Sequence, residues 1–326
     1  MRFAIYGAGA IGQYLGAKLH KSGHDVSLIA RGDRLSLIRK EGITVYGDGE
    51  PLHAMTKAAD NCSDVGVVDY VFLTVKASQL SEIADKLGPL LGPETAVVST
   101  QNGIPWWYFY KEGSPHEGRR IKSIDPDGLI TKLISMERII GSIVFPAVIQ
   151  NGLNNVTHIE GNKLSVGEPD GKTTERVRRL SKALSESGLR SPIKSDIRAE
   201  MWAKLLGNIA FNPVSSLTLA NLHEISTEEQ LIIGIRHVME EANAVAEYFI
   251  KKVPITVDQR LAGIAKVGDH KTSTLQDREK NEGMEYEAII GAVLELGDIA
   301  GESMDFTRYT YGLIKLLNYK NESKVD

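Results

Sequence analysis

The sequence predicts an α/β fold for residues 1–195 and a mainly α-helical domain for residues 196–326. Two observations support this prediction. In the first part of the chain, short apolar runs alternate with helical patterns and glycine-bearing turns, which is typical of a parallel sheet. Beyond residue 195, long helical patterns dominate and strand patterns are few. A chain of 326 residues is also long enough for two domains.

The most informative stretch of the first domain is the glycine-rich turn Gly7-Ala8-Gly9-Ala10-Ile11-Gly12, between an apolar run and a helical pattern. In this setting the first glycine permits a tight turn, the second lets the backbone approach a pyrophosphate, and the third lets helix pack on strand. The helix N-terminus offers free N–H groups and partial positive charge to phosphates. The motif predicts a Rossmann-type, doubly wound sheet that binds a dinucleotide. A glycine-rich turn without a ligand is the alternative.

The end of the second predicted strand, 24–30, indicates which dinucleotide binds. NAD-binding folds usually carry an acidic residue about 20 residues beyond the glycine motif, where it accepts a hydrogen bond from the ribose 2′-OH. Here Arg31 stands 19 residues after Gly12, and an arginine suits the 2′-phosphate of NADP. Asp33 lies two residues further along. The pattern favours NADP, and a solvated arginine in a surface turn is the alternative.

Two polar residues of the first domain follow predicted strand ends. Lys76 comes directly after the strand 69–75, and Asn102 follows the strand 95–100. Because the carboxyl ends of parallel strands form the ligand crevice, both residues are predicted to face the cofactor site. A helix-start lysine and an ordinary turn are equally good interpretations. The other predicted elements are strands 42–47 and 139–145, antiparallel strands up to 167 that cover the sheet edge, and helices 78–91 and 174–187.

Residues 104–138 interrupt this alternation. The segment contains the consecutive aromatic residues Trp106-Trp107-Tyr108-Phe109-Tyr110. Long loops in compact domains are usually functional, and apolar patches of this kind mark ligand grooves or interfaces when they are exposed. Three interpretations stay open: a lid over the substrate, a subunit contact as in a homodimer, or a satellite core under a long loop. The lid is the sharpest of them, because the segment begins beside Asn102.

The second domain is predicted to consist of helices, and one of them carries an unusual polar row. Lys204, Asn208 and Asn212 are spaced i, i+4, i+8, which places them on one face of a largely apolar helix that Pro213 ends or kinks. A buried lysine has a lowered pKa and is a competent proton donor near neutral pH. A snorkelling lysine with two surface amides is the alternative. The predicted helices are 200–211, 229–253, 258–265 and 277–300.

A second polar patch lies further along the helical domain. Thr272 and Ser273 stand at a predicted helix N-cap, and Glu285 follows in a helical pattern. A carboxylate at that position could hold a lysine in an ion pair. Taken without other information, the patch is also explained by helix capping and an exposed acid.

Composition excludes several classes of function. A net charge of −4 gives no support for a nucleic-acid surface. Cys62 is the single cysteine, so an internal disulfide framework and a cysteine-based metal cluster are excluded, and no metal is predicted. We see neither a charged leader with an apolar core nor a run near 18 apolar residues, and we therefore expect a cytoplasmic protein without membrane contact.

Taken together, these motifs resemble the 2-dehydropantoate 2-reductase (ketopantoate reductase) family, a Rossmann domain followed by a helical domain. The resemblance covers nearly the whole chain, whereas the family pattern does not supply residues 104–138. The matching residues are Gly7–Gly12, Arg31, Val75-Lys76, Gln101-Asn102-Gly103, the Trp-x-Lys-x-x-x-Asn-x-x-x-Asn-Pro run at 202–213, Ser273-x-x-Gln276-Asp277 and Glu285.

The resemblance implies an NADPH-dependent reduction of a 2-oxo acid, with ketopantoate to pantoate, a step of pantothenate biosynthesis, as the first choice. It assigns Lys204 as general acid and Glu285 as its support. Two alternatives are a reductase for another, bulkier 2-oxo acid and a non-catalytic NADP-sensing protein. The resemblance further implies substrate contacts for Asn102, Asn208, Asn212 and Ser273, and cofactor contacts for the glycine turn, Arg31, Lys76, Asn102 and Glu285.

Overall fold

A computed structural model of the protein describes residues 1–47 and 49–322. The chain forms two compact units, which we describe separately. The first unit comprises residues 1–101, 109–119 and 128–197. The second unit comprises residues 102–108, 120–127 and the described chain from 198 onward. The two-domain division at residue 195 stays a prediction.

Within the described chain, the larger sheet of the first unit has seven strands in the order β11-β8-β7-β6-β1-β2-β5. Neighbouring strands are parallel, apart from the antiparallel pair of β11 and β8. The strand order reverses at β1, so the prediction of a Rossmann-type, doubly wound sheet is confirmed. In chain order the strands are β1 (Arg2–Tyr6), β2 (Asp25–Ile29), β3 (Ile43–Tyr46), β4 (Leu52–Ala54), β5 (Lys57–Ala59), β6 (Tyr70–Leu73), β7 (Ala96–Ser99), β8 (Ile139–Val144), β9 (Ala147–Gln150), β10 (Asn155–Glu160) and β11 (Leu164–Gly167).

A smaller sheet of the same unit has the order β4-β3-β10-β9. The antiparallel strands up to 167 are expected to cover the edge of the large sheet. This expectation is wrong for β9 and β10, which belong to the smaller sheet, and it holds for β11, which pairs with β8 at that edge. The cause is a set of contacts around Asn154, whose side chain donates to the carbonyl of Gly42 at 2.9 Å. The Asn154 carbonyl in turn accepts from the N–H of Thr44 at 3.0 Å, which aligns β10 beside β3.

The helices of the first unit pack against these sheets. Helix α1 contacts strands of both sheets and buries Tyr14, Leu15 and Leu19 completely. The predicted helix 78–91 is instead a short α-helix flanked by 3₁₀ turns, because Gly88 and Pro89 do not sustain a regular helix. The helices are α1 (Ala10–Lys21), α2 (Gly32–Glu41), α3 (Leu80–Ile83), α4 (Leu129–Leu133) and α5 (Glu175–Glu186).

The second unit is helical. The predicted helix 277–300 is wrong in its continuity, because a break separates α10 from a π-helical turn at Glu287–Gly291 that leads into α11. Asn281 in the left-handed region begins this break, and the side chain of Asn318 accepts the N–H of Met284 at 3.0 Å. The helices are α6 (Ile197–Thr218), α7 (Leu222–Thr227), α8 (Glu229–Phe249), α9 (Val257–Ile264), α10 (Ser273–Glu279), α11 (Ala292–Ala300) and α12 (Asp305–Glu322).

Pro213 lies inside α6, so of the two predicted effects, an end or a kink, the end after Asn212 is wrong and the kink stays a prediction. A proline within a helix costs about 3 kcal/mol, through one lost hydrogen bond and a steric clash. Burial on either side opposes that cost: Phe211 is 1% exposed, and Ser215 and Ser216 are fully buried. One buried aromatic side chain contributes roughly 1.5–3 kcal/mol, so packing can hold the helix together through the proline.

The aromatic segment 106–109 is buried: Trp106, Trp107, Tyr108 and Phe109 are at most 2% exposed. Within the second unit, Trp202 Nε1 donates to the Tyr108 hydroxyl at 2.9 Å. The same tyrosine packs edge-on against another ring of the unit, with 5.9 Å between the ring centroids. Tyr108 thus lies in a satellite core of the second unit. Because all four side chains are buried within a single chain, the expectation that they form a subunit contact is wrong, whereas the lid stays a prediction.

Candidate active site

The glycine turn is shaped by close backbone approaches at its two ends. Gly7 has a φ of +112°, and a Cβ there would lie 2.9 Å from Val75 Cγ1. A Cβ on Gly12 would lie 1.9 Å from the carbonyl oxygen of Gly7. In contrast, a Cβ on Gly9 would have no atom of the described residues within 4 Å. The middle glycine therefore leaves open space at the N-terminus of α1.

This open space suits a pyrophosphate. The first helical turn, 10–13, is uncharged in sequence, and the backbone at Gly9 is extended where it caps α1. Ala8 is buried beneath the turn, while Ala10 and Ile11 are half-buried. Helix N–H groups that meet no side chain form an anion-binding site, so these residues fit a dinucleotide phosphate.

Arg31 stands directly before helix α2, two residues beyond the end of β2. Its side chain is exposed and its backbone is extended, with φ −131° and ψ 159°. Asp33 is also exposed, in the first turn of α2. A guanidinium at this position fits a 2′-phosphate, since it offers paired N–H donors.

At the carboxyl edge of the large sheet, Lys76 is half-buried and begins a 3₁₀ turn, its backbone N–H donating to Gln79 Oε1 at 3.2 Å. Gln101 ties two strand ends together. Its side-chain amide donates to the carbonyl of Leu73 at 2.7 Å and to that of Val75 at 3.1 Å. The edge that sequence reasoning assigns to the cofactor is therefore a cross-linked part of the first unit.

In the second unit, three residues that are far apart in sequence meet. Lys204 Nζ donates to Asn102 Oδ1 at 2.7 Å. The amide of Asn102 lies 3.5 Å from Glu285 Oε2, a long hydrogen bond. We call Lys204, Asn102 and Glu285 the lysine cluster. The structure thus brings together both predicted catalytic residues and one residue predicted to contact substrate and cofactor.

Asn102 is held in the lysine cluster by the segment that follows it. The N–H of Ile104 donates to the carbonyl of Ala288 in the π-helical turn, at 2.8 Å. Gly103 between them has a φ of +84°, and a Cβ there would lie 2.1 Å from that same carbonyl oxygen. Only glycine allows this approach. The position of Asn102 therefore depends on a glycine and on the π-helical turn.

Burial and a neighbouring cation set the acidity of Lys204. Desolvation and, to a smaller extent, the positive charge of Arg260 lower the pKa of Lys204, the carboxylate of Glu285 opposes both, and the resulting pKa is about 8. Part of the lysine surface remains accessible. An ammonium group with this pKa is mostly charged at neutral pH and gives up its proton readily.

The other predicted substrate residues differ in position. Asn212 is 6% exposed, and its Nδ2 atom has no hydrogen-bond partner within residues 1–47 and 49–322. An unsatisfied buried donor points to an acceptor supplied by a ligand. Asn208, one turn earlier, is half-buried. Ser273 is exposed at the first position of α10, and in the described chain it makes no hydrogen bond to the lysine cluster.

Sequence reasoning missed Arg260 of α9. Its Nη2 atom lies 3.5 Å from the carbonyl oxygen of Lys204, and a Cβ on Gly207 would lie 2.5 Å from that nitrogen. A glycine inside a helix is costly and often marks a close approach, so Gly207 was the available signal. The sequence contains no signal that identifies Arg260 as the residue that lies against Gly207.

Two further classes of site were sought in the described chain. There, His, Cys, Asp and Glu side chains form no group of three or more that could hold a metal ion. The helices of the same residues include none with the length and apolarity to cross a membrane.

Comparison with known proteins identifies the family. Residues 3–108 match the family model described as ketopantoate reductase PanE/ApbA, and residues 196–318 match the model of its C-terminal part. A 2-dehydropantoate 2-reductase of Mesorhizobium japonicum is 45% identical over 298 residues, which cover 91% of each chain.

Solved structures agree with this match. A PanE/ApbA family ketopantoate reductase of Ralstonia eutropha superposes with a TM-score of 0.84 at 26% identity, over 99% of this chain and 100% of that one. A 2-dehydropantoate 2-reductase of Geobacter metallireducens has a TM-score of 0.86 at 25% identity, over 97% and 100%. D-mandelate dehydrogenase in complex with NADH and anilino(oxo)acetate shares the fold, with a TM-score of 0.83 at 22% identity over 99% of each chain.

The fold and the matches define a class of enzyme, the oxidoreductases that act on a CH–OH group with a nicotinamide dinucleotide. Within that class, the chain belongs to the ketopantoate reductase family. The reaction typical of this family is the reduction of a 2-oxo acid to a 2-hydroxy acid, and its cofactor is NADPH.

Proposed function

We propose that this protein reduces ketopantoate to pantoate with NADPH and that Lys204 is the general acid. The observation that carries the proposal is the lysine cluster, in which Lys204 Nζ lies 2.7 Å from Asn102 Oδ1 with a pKa lowered to about 8. The 45% identical relative named 2-dehydropantoate 2-reductase supports the choice of substrate.

When bound, NADPH supplies the hydride. As negative charge develops on the carbonyl oxygen of the substrate, Lys204 Nζ donates a proton to that oxygen and a hydroxyl group forms. General acid catalysis of this kind is most effective when the pKa of the donor lies near the working pH. The neutral amine then regains a proton from solvent, and the lysine is ready for the next turnover.

The neighbours of Lys204 position and tune this proton donor. Asn102 Oδ1 accepts one ammonium hydrogen and so directs the remaining two elsewhere. Glu285 keeps the ammonium charged by opposing desolvation. The unpartnered Nδ2 of Asn212 is available to a substrate oxygen, and Asn208 is proposed to assist it. Ser273 is also proposed as a substrate contact, on the resemblance alone.

The cofactor would be held mainly by the first unit. The glycine turn, with open space at Gly9, would bind the pyrophosphate, and Arg31 would bind the 2′-phosphate. Lys76, half-buried at the start of its 3₁₀ turn, is proposed as a further cofactor contact. Asn102 is proposed to contact both cofactor and substrate, and Glu285 is proposed to contact the cofactor in addition to supporting Lys204.

Two rival functions make different predictions. A reductase for a bulkier 2-oxo acid would share the whole lysine cluster, and only the substrate preference would differ. A non-catalytic NADP sensor would have no use for a lysine with a lowered pKa, so the properties of Lys204 argue against it. A homodimer and a cytoplasmic location stay predictions. An exposed apolar row on α12, including Tyr309 and Leu316, is consistent with self-association and can be tested by sedimentation.

One assay separates these functions. NADPH oxidation is measured against ketopantoate, 2-oxoisovalerate, pyruvate and phenylglyoxylate, with the Lys204→Ala variant as the control. We expect the highest kcat/KM with ketopantoate. A preference for phenylglyoxylate would favour the bulkier-substrate enzyme. Tight NADPH binding without turnover of any 2-oxo acid would favour the sensor.

A further inference from the structure

We propose that Arg260 binds the carboxylate of the 2-oxo acid and so selects acids over neutral carbonyl compounds. The inference rests on the proposed function and adds to it a residue of α9 that the family motifs do not include. Three features carry it: the position of the guanidinium beside Lys204, its lack of a counterion, and the geometry of a 2-oxo acid.

The first feature is position. Arg260 Nη2 lies 3.5 Å from the Lys204 carbonyl oxygen. A Cβ on Gly207 would lie 2.5 Å from Nη2, 2.6 Å from Nε and 2.9 Å from Cζ, so the whole guanidinium lies against that glycine. Gly207 is three residues after Lys204 and directly precedes Asn208. The guanidinium therefore lies against the part of α6 that carries these two polar residues. The guanidinium thus lies against the helical turn that carries Lys204, and its charge acts on the ammonium group of that lysine.

The second feature is charge. Arg260 makes no ion pair within the part of the chain that the structure describes, and its buried Nε atom has no hydrogen-bond partner there. A half-buried cation without a counterion is costly, and a second cation beside it adds repulsion. The carboxylate of Glu285, which acts on Lys204, lies within 3.5 Å of the Asn102 amide. A bound anion would satisfy both cations.

The third feature is the chemistry of the ligand. In a 2-oxo acid the carboxylate is bonded directly to the carbon that receives the hydride, so the two polar groups need partners side by side. A planar guanidinium pairs with a carboxylate through two parallel hydrogen bonds, while an ammonium group is suited to the adjacent carbonyl oxygen. Arg260 and Lys204 supply these two kinds of group. A phosphate of the cofactor is the other anion that could bind here, and the experiment separates the two.

The experiment compares Arg260→Met with Arg236→Met in the full-length enzyme. Arg236 is a matched control because it also contacts α9, through an ion pair with Asp258 at 2.7 Å, but is more exposed. Loss of a charge-assisted hydrogen bond should raise KM for ketopantoate about 10–150-fold in Arg260→Met. The control should keep the wild-type KM. For the neutral lactone of ketopantoate, which lacks the carboxylate, KM should be the same in all three proteins, while kcat of Arg260→Met can differ because the Arg260 charge also lowers the pKa of Lys204.

Two additional measurements keep the proposal testable if Arg260→Met folds poorly. Gly207→Ala should displace the guanidinium and raise KM in the same direction, and added guanidinium ion should partly restore Arg260→Met. Pantoate binding to the enzyme–NADP⁺ complex, measured by calorimetry, should weaken by the same factor as KM rises. This last readout does not depend on turnover.

The outcomes are distinguishable. If wild type reduces ketopantoate and Arg260→Met leaves KM and pantoate binding unchanged, the role of Arg260 is wrong and the proposed function survives. If Arg260→Met weakens NADPH binding instead, the residue binds a cofactor phosphate and the inference is also wrong. If wild type neither reduces a 2-oxo acid nor binds pantoate, the proposed function itself fails.

Discussion

The glycine turn and the lysine cluster solve the problem of ligand binding in opposite ways. The turn lies within six consecutive residues, and its important property is the absence of a side chain at its three glycines. The cluster uses side chains from three segments, and Asn102 and Glu285 are 183 residues apart. A local site of backbone groups depends on conformation, whereas a dispersed site of side chains depends on tertiary packing. The two sites should therefore respond differently to substitution.

The largest expected effect comes from removing the proton donor. Lys204→Ala should lower kcat about 10²–10⁴-fold, the usual contribution of general acid catalysis. NADPH affinity, measured by fluorescence titration, should change little if the glycine turn carries most of the cofactor binding. Lys266→Ala, an exposed lysine of the same unit, is the control. A variant with wild-type kcat would exclude Lys204 as general acid.

A second substitution tests the dependence of the cluster on packing. Gly103→Ala should displace Asn102, because the new Cβ would lie 2.1 Å from the Ala288 carbonyl oxygen. We expect kcat to fall at least about tenfold, since misplacing a catalytic group by about 1 Å can cost 10²-fold. Gly113→Ala is the matched control: Gly113 also has a positive φ, +78°, but an added Cβ would have open space in the described structure. Equal kcat values in the two variants would contradict this role for Gly103.

The glycine turn is tested through cofactor preference. Arg31→Ala should lower the ratio of kcat/KM for NADPH to that for NADH by about 10–150-fold, through loss of a charge-assisted contact. Lys40→Ala on α2, the helix that follows Arg31, should leave the ratio unchanged, because that exposed lysine pairs with Glu41. A wild-type preference for NADH would overturn the assignment of Arg31.

The smallest expected effect is a shift in pH dependence. Lys204 donates a proton only when it is charged, and its pKa is about 8. The value of kcat/KM for reduction should therefore be constant below that pH and fall as the pH rises through it, by about tenfold per unit. Glu285→Gln removes the interaction that raises this pKa, so the decline should begin at lower pH. A decline that moves to higher pH would assign the titration to another group.

The two sites also differ in how far the sequence predicts them. The turn is predicted in detail, since its information lies in consecutive glycines between a strand and a helix. The row of Lys204, Asn208 and Asn212 follows from helical periodicity. The contact of Asn102 with both partners does not follow from local pattern, because it depends on how residues 102–104 pack against the π-helical turn. Arg260 was missed for the same reason.

The fold shows the same limit. Parallel strands and their order around β1 follow from the alternation of apolar runs. The break within 277–300 does not, since the apolar period continues through Ile289, Ile290 and Val293 while Asn281 and Asn318 set the break. Helix α6 likewise continues through Pro213 because the residues before and after the proline are buried. Rules that consider only the neighbouring sequence do not take this burial into account.

The long span between Asn102 and Glu285 has a consequence for biosynthesis. A ribosome adds about 5–20 residues per second, so roughly 10–40 s separate the appearance of these two residues, which are 183 positions apart. During that interval the first unit, whose glycine turn needs only nearby strands, can already fold. A nascent chain would thus acquire the capacity to bind a dinucleotide before it could perform chemistry. Dinucleotide bound cotranslationally could then stabilise the emerging chain while its catalytic half is still being made.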